Sequence, residues 1–202
     1  MKGASESEAR EIILRVVEGF LATRGYNGFQ LREVAKEARV SLSRIYELFG
    51  TREELIVAAM ERWMSHNGYA DLTPPLAKQG IYEGLLYILR SLFEPWEYNP
   101  RMLDAFHRAR RGRGGDRLVV QGAAAIRPAL QSVLKEADPQ HAADVELLLG
   151  NLFYAVFGRF SDGELNITDI LPTLERAAFR LTADNTSAAK SGRRAATRPR
   201  KH

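Results

Sequence analysis

LREVAKEARVSLSRIYELFGTREELI, residues 31–56, is the stretch that decides the fold. In its first part, apolar residues recur at the spacing i, i+3, i+4, i+7 that marks one face of an amphipathic helix: Leu31, Val34, Ala35 and Ala38. In its second part, Ile45 and Phe49 lie four residues apart and can face that helix. The polar residues between them point elsewhere: Ser43, Arg44 and Glu47. The stretch therefore predicts two short helices packed together, the second with a free polar face.

The ends of these helices carry their own signals. Ser41 is a good N-cap for the second helix, roughly Leu42–Leu48, and Gly50 ends that helix where φ must become positive. Thr51 with Glu54 three residues later reads as a capping box, which starts a third helix. Two short helices joined by about three residues, with polar groups on the second, are typical of a helix-turn-helix. This pattern predicts a DNA-binding head.

Residues 25–56 resemble the DNA-binding region of TetR-family transcriptional regulators. The family pattern runs roughly A-x-x-A-G-V-S-x-G-x-[LI]-Y-x-[HY]-F-x-[ST]-K-x-x-L, and most of its fixed positions agree in register from Ala35 to Leu55. Four positions depart from it. Arg39 and Ser43 stand where the family usually has Gly, Leu48 where it has His or Tyr, and Arg52 where it has Lys.

The composition is that of a globular protein, with 45% hydrophobic and 27% charged residues among 202. The absence of cysteine excludes disulfides, thiol catalysis and cysteine-ligated metals. The most apolar run, Leu147–Gly158, is too short to span a bilayer, and the N-terminus has no secretory hydrophobic region. We therefore expect a soluble cytoplasmic protein without a cofactor or a membrane partner.

The net charge of +4 is unevenly distributed. From Ala183 onward there are six Lys or Arg and one Asp, a contribution of +5, so the rest of the chain carries about −1. DNA binding must therefore depend on where individual charges point. The tail 183–202 lacks aromatic residues, and we expect it to be disordered. Two interpretations of it remain open: non-specific phosphate contacts, or an inert solubilising extension.

The rest of the sequence predicts an all-α protein of about nine helices. Ser5 and Glu8 form a capping box before a helix over about 8–24, and the helix that begins at Arg52 is long enough to connect the head to the body. We expect a helix from Ile81 that stops before Pro95, and one over about 118–135 that Pro128 bends or breaks. Three further helices are predicted, beginning near Pro100, Asp138–Pro139 and Thr168.

The recognition helix supplies the predicted DNA contacts. Arg44 is the side chain suited to a bidentate guanine contact, and by resemblance Tyr46 contacts a phosphate. Glu47 either accepts from cytosine or orients Arg44, and Leu42 is either a thymine-methyl contact or a core residue. The full predicted DNA-binding set is Gln30, Arg32, Ser41, Leu42, Ser43, Arg44, Tyr46, Glu47, Leu48 and Arg52.

The family resemblance also implies a C-terminal domain that binds a small effector and forms a homodimer. Its interface would comprise Ala142–Phe160 and Thr168–Leu181, and the dimer would bind a pseudo-palindromic operator. The division is then 1–50 for the DNA-binding domain, 51–182 for effector binding and dimerisation, and 183–202 for the basic tail. The predicted apolar pocket is lined by Leu89, Phe93, Trp96, Met102, Phe106, Leu149, Phe153 and Phe157, each of which is alternatively a core residue.

A looser similarity, to actinobacterial TetR-family repressors of steroid catabolism, implies a steroid acyl-CoA thioester as effector. A basic cluster would then hold the CoA phosphates at the pocket mouth, or would be a solvated loop: His107, Arg108, Arg110, Arg111, Arg113 and Arg117. An enzyme is the first alternative, and Asp104 with His107 is its nearest pair. A ligand-binding or interaction protein that has lost specific DNA binding is the second. Repression is the hypothesis, because most relatives repress.

Overall fold

A computed structural model describes residues 5–70, 72–73 and 80–183. Within these ranges the chain forms helices and no strand, which confirms the predicted all-α class. The predicted basic tail lies outside the described residues apart from Ala183. The nine helices of the described ranges are α1 (Glu6–Arg24), α2 (Leu31–Glu37), α3 (Leu42–Phe49), α4 (Arg52–His66), α5 (Ile81–Glu97), α6 (Pro100–Arg111), α7 (Asp116–Leu134), α8 (Pro139–Ser161) and α9 (Ile167–Thr182).

The N-terminal helix α1 begins at the capping box that the sequence predicts. The Ser5 Oγ accepts a hydrogen bond from the Glu8 N–H at 3.2 Å, and the Glu8 carboxylate accepts one from the Ser5 N–H at 2.7 Å. The apolar stripe of α1 buries Ile13, Val17 and Leu21 completely. Burying each such side chain contributes about 1.5–3 kcal/mol, so this stripe anchors α1 on the rest of the head.

The turn between α2 and α3 is a Schellman motif. The Val40 N–H donates to the Ala35 carbonyl at 3.0 Å, and the Arg39 N–H donates to the Lys36 carbonyl at 3.3 Å. This geometry requires a left-handed residue, and Arg39 adopts it with φ of 55°. Among the described residues, Arg39 is the only one other than glycine with positive φ. The glycine that the family pattern has at this position would adopt it without strain.

The turn between α3 and α4 depends on glycine. Gly50 has φ 72° and ψ −63°, and the Thr51 N–H donates to the Phe49 carbonyl at 2.8 Å, which closes a γ-turn. A Cβ at Gly50 would lie 2.8 Å from Oε2 of Glu54. The Thr51 Oγ1 then caps α4 by accepting from the Glu54 N–H at 3.1 Å. Two short turns therefore fix the direction of α3 on both sides.

The helix α4 is shared by the head and the body. All six consecutive residues of Leu55–Met60 are buried, so neighbours cover α4 around its whole circumference. These neighbours are α1 and α3 on the head side and α6 and α7 on the body side. One continuous apolar core joins the two parts across α4. The predicted division of the chain at residue 50 remains a prediction.

Two helices continue where the sequence predicts an interruption. The prediction that α5 stops before Pro95 is wrong, because the helix continues to Glu97. For Pro128, where the sequence predicts a bend or a break, the break does not occur, because α7 runs through it to Leu134. In both cases residues beyond the proline are buried, Trp96 in α5 and Ala129 in α7. Their packing offsets the backbone hydrogen bond that each proline removes.

The body is built around an aromatic cluster that α5, α6 and α8 share. The ring of Trp96 lies 5.2 Å from that of Phe106 and 6.1 Å from that of Phe157, between centroids. Phe93 and Phe157 are 6.4 Å apart. On the other side of this cluster, α9 packs against both α5 and α8. Since α6 also packs against α1 and α4, the cluster is contiguous with the head.

Replacing Arg39 by glycine should stabilise the protein. The left-handed conformation costs a non-glycine residue about 1–2 kcal/mol, and the greater freedom of glycine in the unfolded chain offsets part of this gain. For Arg39→Gly we expect the free energy of unfolding, measured by urea denaturation, to rise by up to about 1 kcal/mol. Lys36→Gly, inside α2, is the control and should lose about 1 kcal/mol. An Arg39→Gly protein no more stable than the parent would contradict this interpretation.

Candidate nucleic-acid interface and internal cavity

The outward face of α3 is polar and exposed. Ser43, Tyr46 and Glu47 are exposed, Tyr46 with 49% of its surface accessible. Arg44 lies beside them, and its Nη1 donates a hydrogen bond to Oε2 of Glu47 at 3.1 Å. The opposite face of α3 is buried in the head. The helix therefore presents one free face that can enter the major groove of a nucleic acid.

The pair of Arg44 and Glu47 defines the charge on this face. Both side chains are partly exposed, so their ion pair contributes only about 0–1 kcal/mol. A guanine edge offers Arg44 two acceptors in a bidentate geometry, a contact of about 1–3 kcal/mol. Arg44 can therefore leave Glu47 for a guanine, and Glu47 holds the guanidinium over the exposed face beforehand. This geometry favours the orienting role among the two that the sequence leaves open for Glu47.

Three other residues predicted to bind DNA, all at or in α3, have contacts within the head. The Ser41 Oγ accepts from the Arg44 N–H at 3.1 Å and so acts as the N-cap of α3. Leu42 and Leu48 are partly buried and pack against the core of the head. Both leucines are therefore placed as packing residues.

The predicted phosphate contact Arg52 also has partners within the protein. Its guanidinium lies over the rings of Phe29 and Tyr26, at 4.8 Å and 5.3 Å from their centroids, and its Nη2 donates to the Tyr26 carbonyl. Arg52 thereby ties the start of α4 to the turn after α1. In contrast, Gln30 and Arg32 are exposed where α2 begins.

Sequence reasoning missed Arg10, which lies on α1 against the end of α3. Its Nη1 donates to the carbonyl of Leu48 at 3.0 Å, and its guanidinium lies 4.4 Å from the ring centroid of Phe49. A cation that binds the last carbonyls of a helix also interacts favourably with the helix dipole. Arg10 therefore fixes the C-terminal end of α3. No local sequence signal reveals this contact, since the partners are 38 residues apart.

The body contains an apolar cavity of about 140 Å³. Five of the eight predicted ligand residues line it: Leu89, Trp96, Phe106, Leu149 and Phe153. The other three, Phe93, Met102 and Phe157, are completely or almost completely buried and belong to the core. Further lining residues that the sequence did not indicate include Met64, Tyr69, Gly122, Ile126, Glu146 and Tyr154.

The predicted basic cluster is dispersed over separate partners. Arg108 pairs with Asp104 at 2.9 Å. Arg113 and Arg117, which follow α6, pair instead with glutamates of α4. The guanidinium of Arg110 lies 4.3 Å from the ring centroid of Tyr154. None of the six basic residues is among the residues that line the cavity. They therefore do not form a common anion site at its mouth.

Asp104 and His107 share no hydrogen bond among the described residues. The Asp104 carboxylate accepts hydrogen bonds from Arg108 and from the Ser161 hydroxyl. His107 is buried, and a Cβ on Gly158 would lie 3.2 Å from its Cε1. Within the described ranges, no three acidic, His or Cys side chains are grouped to hold a metal ion. No helix there is long and apolar enough to cross a membrane.

The environment of His107 disfavours its charged form. Burial is the main cause that lowers the pKa of His107, and the charges of Arg110 and Arg111 lower it further. Asp162 and Asp104 oppose this shift in part. The Nδ1 atom has no hydrogen-bond partner, so protonation there would leave a buried charge unsatisfied. The folded protein therefore prefers the neutral imidazole more strongly than the unfolded chain does.

This preference predicts a loss of stability in acid. Because the folded pKa lies below the unfolded value of about 6.5, the unfolded chain binds more protons as the pH falls below that value. We expect His107→Leu to lose less stability than the parent between pH 7 and pH 5, as measured by urea denaturation. His66→Leu, which replaces an exposed histidine, should keep the parent's pH dependence. If His107→Leu and the parent lost equal stability between pH 7 and pH 5, His107 would not be the cause of the loss.

Comparisons with known proteins identify both parts of the chain. A family profile described as "Bacterial regulatory proteins, tetR family" matches residues 13–59, and one described as "Tetracyclin repressor-like, C-terminal domain" matches residues 79–181. A search of curated proteins gave no significant match.

Two solved structures from Rhodococcus sp. RHA1 share the fold. One, a TetR transcriptional regulator, is 21% identical with a TM-score of 0.67, covering 88% of this chain and 97% of that one. Another, a TetR-like transcriptional regulator, is 17% identical with a TM-score of 0.58, covering 86% and 95%. Since the two family profiles match the head and the body in order, the chain belongs to the TetR family of DNA-binding transcriptional regulators.

Proposed function

We propose that the protein is a ligand-responsive repressor that binds a pseudo-palindromic DNA operator as a homodimer. A small apolar effector in the cavity releases it from the operator. The observation that carries the proposal is the joint presence of an exposed polar face on α3 and an apolar cavity, connected by α4. Residues 1–50 act as the DNA-binding domain and 51–182 as the effector and dimerisation domain. The proposal includes no catalytic step and places the protein in the cytoplasm.

In this proposal α3 lies in the major groove. Arg44 donates to O6 and N7 of a guanine, and Glu47 positions it. Ser43 and Tyr46, which are exposed on the same face, contact phosphates, as Arg32 does from the start of α2. We assign supporting roles to the remaining predicted residues, which cap, pack or flank these helices: Gln30, Ser41, Leu42, Leu48 and Arg52.

Effector binding acts on DNA binding through α4. Met64 of α4 and Phe106 of α6 both line the cavity, and α4 packs against α3. The ring of Trp96, which also lines the cavity, lies 4.6 Å from that of Trp63 on α4. A ligand that favours a shifted position of α4 therefore changes the position of α3. The extent of DNA release is limited by the difference between the ligand's affinities for the two positions of α4.

The dimer uses apolar surface on the last two helices. Leu147 and Leu148 of α8 are 62% and 51% exposed, and Phe179 of α9 is 49% exposed. The helices α8 and α9 pack against each other within one protomer, so both contribute to the same side of the body. Pairing this surface across a twofold axis buries it and presents two α3 helices to half-sites about 34–36 Å apart.

Arg44→Ala should abolish sequence-specific DNA binding. Each guanine contact is worth about 1–3 kcal/mol and a dimer loses two, so specific affinity should fall by at least about tenfold. The measurement is fluorescence anisotropy with DNA from upstream of the protein's own gene, at two salt concentrations. Arg127→Ala, an exposed arginine on α7, removes the same charge far from α3 and should bind like the parent.

The alternative function predicts a different result in the same experiment. A ligand-binding protein that has lost specific DNA binding would show only salt-sensitive binding without sequence preference, unaffected by Arg44→Ala. The family departures at Arg39, Ser43 and Leu48 are what that alternative would predict. This result would overturn the proposed repressor.

Leu147→Glu should convert the dimer into a monomer. The substitution places a charge in the centre of the proposed apolar interface, where it has no partner. Light scattering after size-exclusion chromatography should give the mass of one chain, and operator affinity should fall accordingly. Val120→Glu is the matched control, because Val120 is 66% exposed but lies on α7. A dimer that persists in Leu147→Glu but dissociates in Val120→Glu would place the interface on α7.

A further inference from the structure

We propose that the cavity binds a small organic cation, with an apolar, preferably aromatic body in the cavity and one ammonium group paired with Glu146. This inference rests on the proposed function, in which the cavity is the effector site. It replaces the acyl-CoA class implied by the subgroup resemblance with a ligand of opposite charge. Three features of the cavity carry it: its size, the chemistry of its wall and the position of the single charge.

The size of the cavity limits the body of the ligand. Its volume of about 140 Å³ is close to the roughly 150 Å³ of an apolar cavity that binds benzene. Pockets for drug-sized ligands run from about 300 to 1,000 Å³, so a larger molecule would require the helices to move apart. A body of about six to ten non-hydrogen atoms therefore fits the cavity as it stands.

The wall is almost entirely apolar and aromatic. Its deep end includes Trp96, Phe106 and Met64, all of which are buried. The polar exceptions other than Glu146 are the hydroxyls of Tyr69 and Tyr154, and burial raises the pKa of both, so they remain neutral hydrogen-bonding groups. Among the described residues that line the cavity, there is no Lys, Arg or His. The wall therefore supplies no charge that would attract an anion.

Glu146 carries the only charge among the described lining residues, and it lies at the mouth. Glu146, Gly150 and Tyr154 follow one another at four-residue intervals along α8, where Glu146 and Gly150 are exposed. A Cβ on Gly150 would have nothing within 4 Å, so this row leaves open space above the cavity. Glu146 forms no hydrogen bond or ion pair with any other described residue. Its carboxylate is therefore available to a ligand.

The helix α7 also lines the cavity. Gly122, Ile126 and Leu130, also four residues apart, line the cavity from α7. One row from α7 and one row from α8 therefore both contribute to the wall of the cavity. A Cβ on Gly122 would lie 2.9 Å from the Tyr69 hydroxyl, which shows how closely this part of the wall is fitted.

These features disfavour a CoA ester and favour a cation. The phosphates of CoA would meet the Glu146 carboxylate at the mouth, and four of the five arginines expected to bind them have other partners: Arg108, Arg110, Arg113 and Arg117. A ligand ammonium instead forms a charge-assisted hydrogen bond with Glu146 while its body displaces no strong polar interaction. Arg110 packs on the ring of Tyr154, which lines the cavity, but Arg110 itself does not line it.

The test uses three probes of similar size and different charge: 2-phenylethylammonium, propylbenzene and phenylacetate. Binding to the full-length protein is measured by titration calorimetry and by tryptophan fluorescence, since Trp96 lines the cavity. We expect Glu146→Gln to lower the affinity for 2-phenylethylammonium by about tenfold, because the charged contact is lost. The affinity for propylbenzene, which makes no such contact, should change by less than about twofold. Phenylacetate should bind more weakly than propylbenzene. The control is Glu136→Gln, because Glu136 is exposed and does not line the cavity. It should leave the affinities for all three probes unchanged.

Two outcomes would overturn the inference. One is binding of 2-phenylethylammonium that Glu146→Gln leaves unchanged, and the other is a protein that binds none of the probes or prefers phenylacetate. Arg44-dependent operator binding in the same preparation would show that the regulator stands although its ligand class is wrong. Conversely, Glu146-dependent binding of the ammonium probe without any release of operator would support the ligand class and contradict the release step of the proposed function.

Discussion

The burial of α4 is the constraint on which the rest of the structure depends. Six consecutive residues, Leu55–Met60, are covered by the head on one side and by the body on the other. A helix that is enclosed in this way cannot move alone, because close packing transmits a displacement to its neighbours. The position of α3 and the shape of the cavity therefore depend on the same helix. This shared helix gives a physical route from a small ligand to a DNA-reading surface.

Arginine has two distinct uses in this chain. Arg10, Arg52 and Arg62 hold helices of the head together through carbonyls, aromatic rings and the carboxylates of α1. Their charges are directed inward or along the surface, so they do not provide a broad basic face. Arg44 differs because, among the described residues, its guanidinium pairs only with a neighbouring, exposed glutamate. The chain before residue 183 has almost no net charge. DNA reading therefore depends on a few well-placed side chains.

The apolar cavity of the body shows where apolar sequence patterns cannot distinguish a filled core from a lined space. The aromatic residues of α5, α6 and α8 have the same periodicity whether they fill the core or line a space. Phe93 and Phe157 fill it, whereas Trp96 and Phe153 face the cavity. Which of these occurs depends on how the helices pack in three dimensions. The charge at the mouth, Glu146, reads in the sequence as an ordinary solvated residue, and only its position beside the cavity makes it a candidate contact.

The sequence by itself determined the helices, the caps and the helix-turn-helix, because these signals act within a few residues. The local signals are those of Ser5 and Glu8, Ser41, Gly50 and Thr51. The tertiary structure alone decided the continuation of two helices through proline, the partners of Arg10 and Arg52, and the walls of the cavity. Each of these results from contacts between residues far apart in the chain. Burial of distant side chains outweighs local preference there, and no short window of sequence contains both partners.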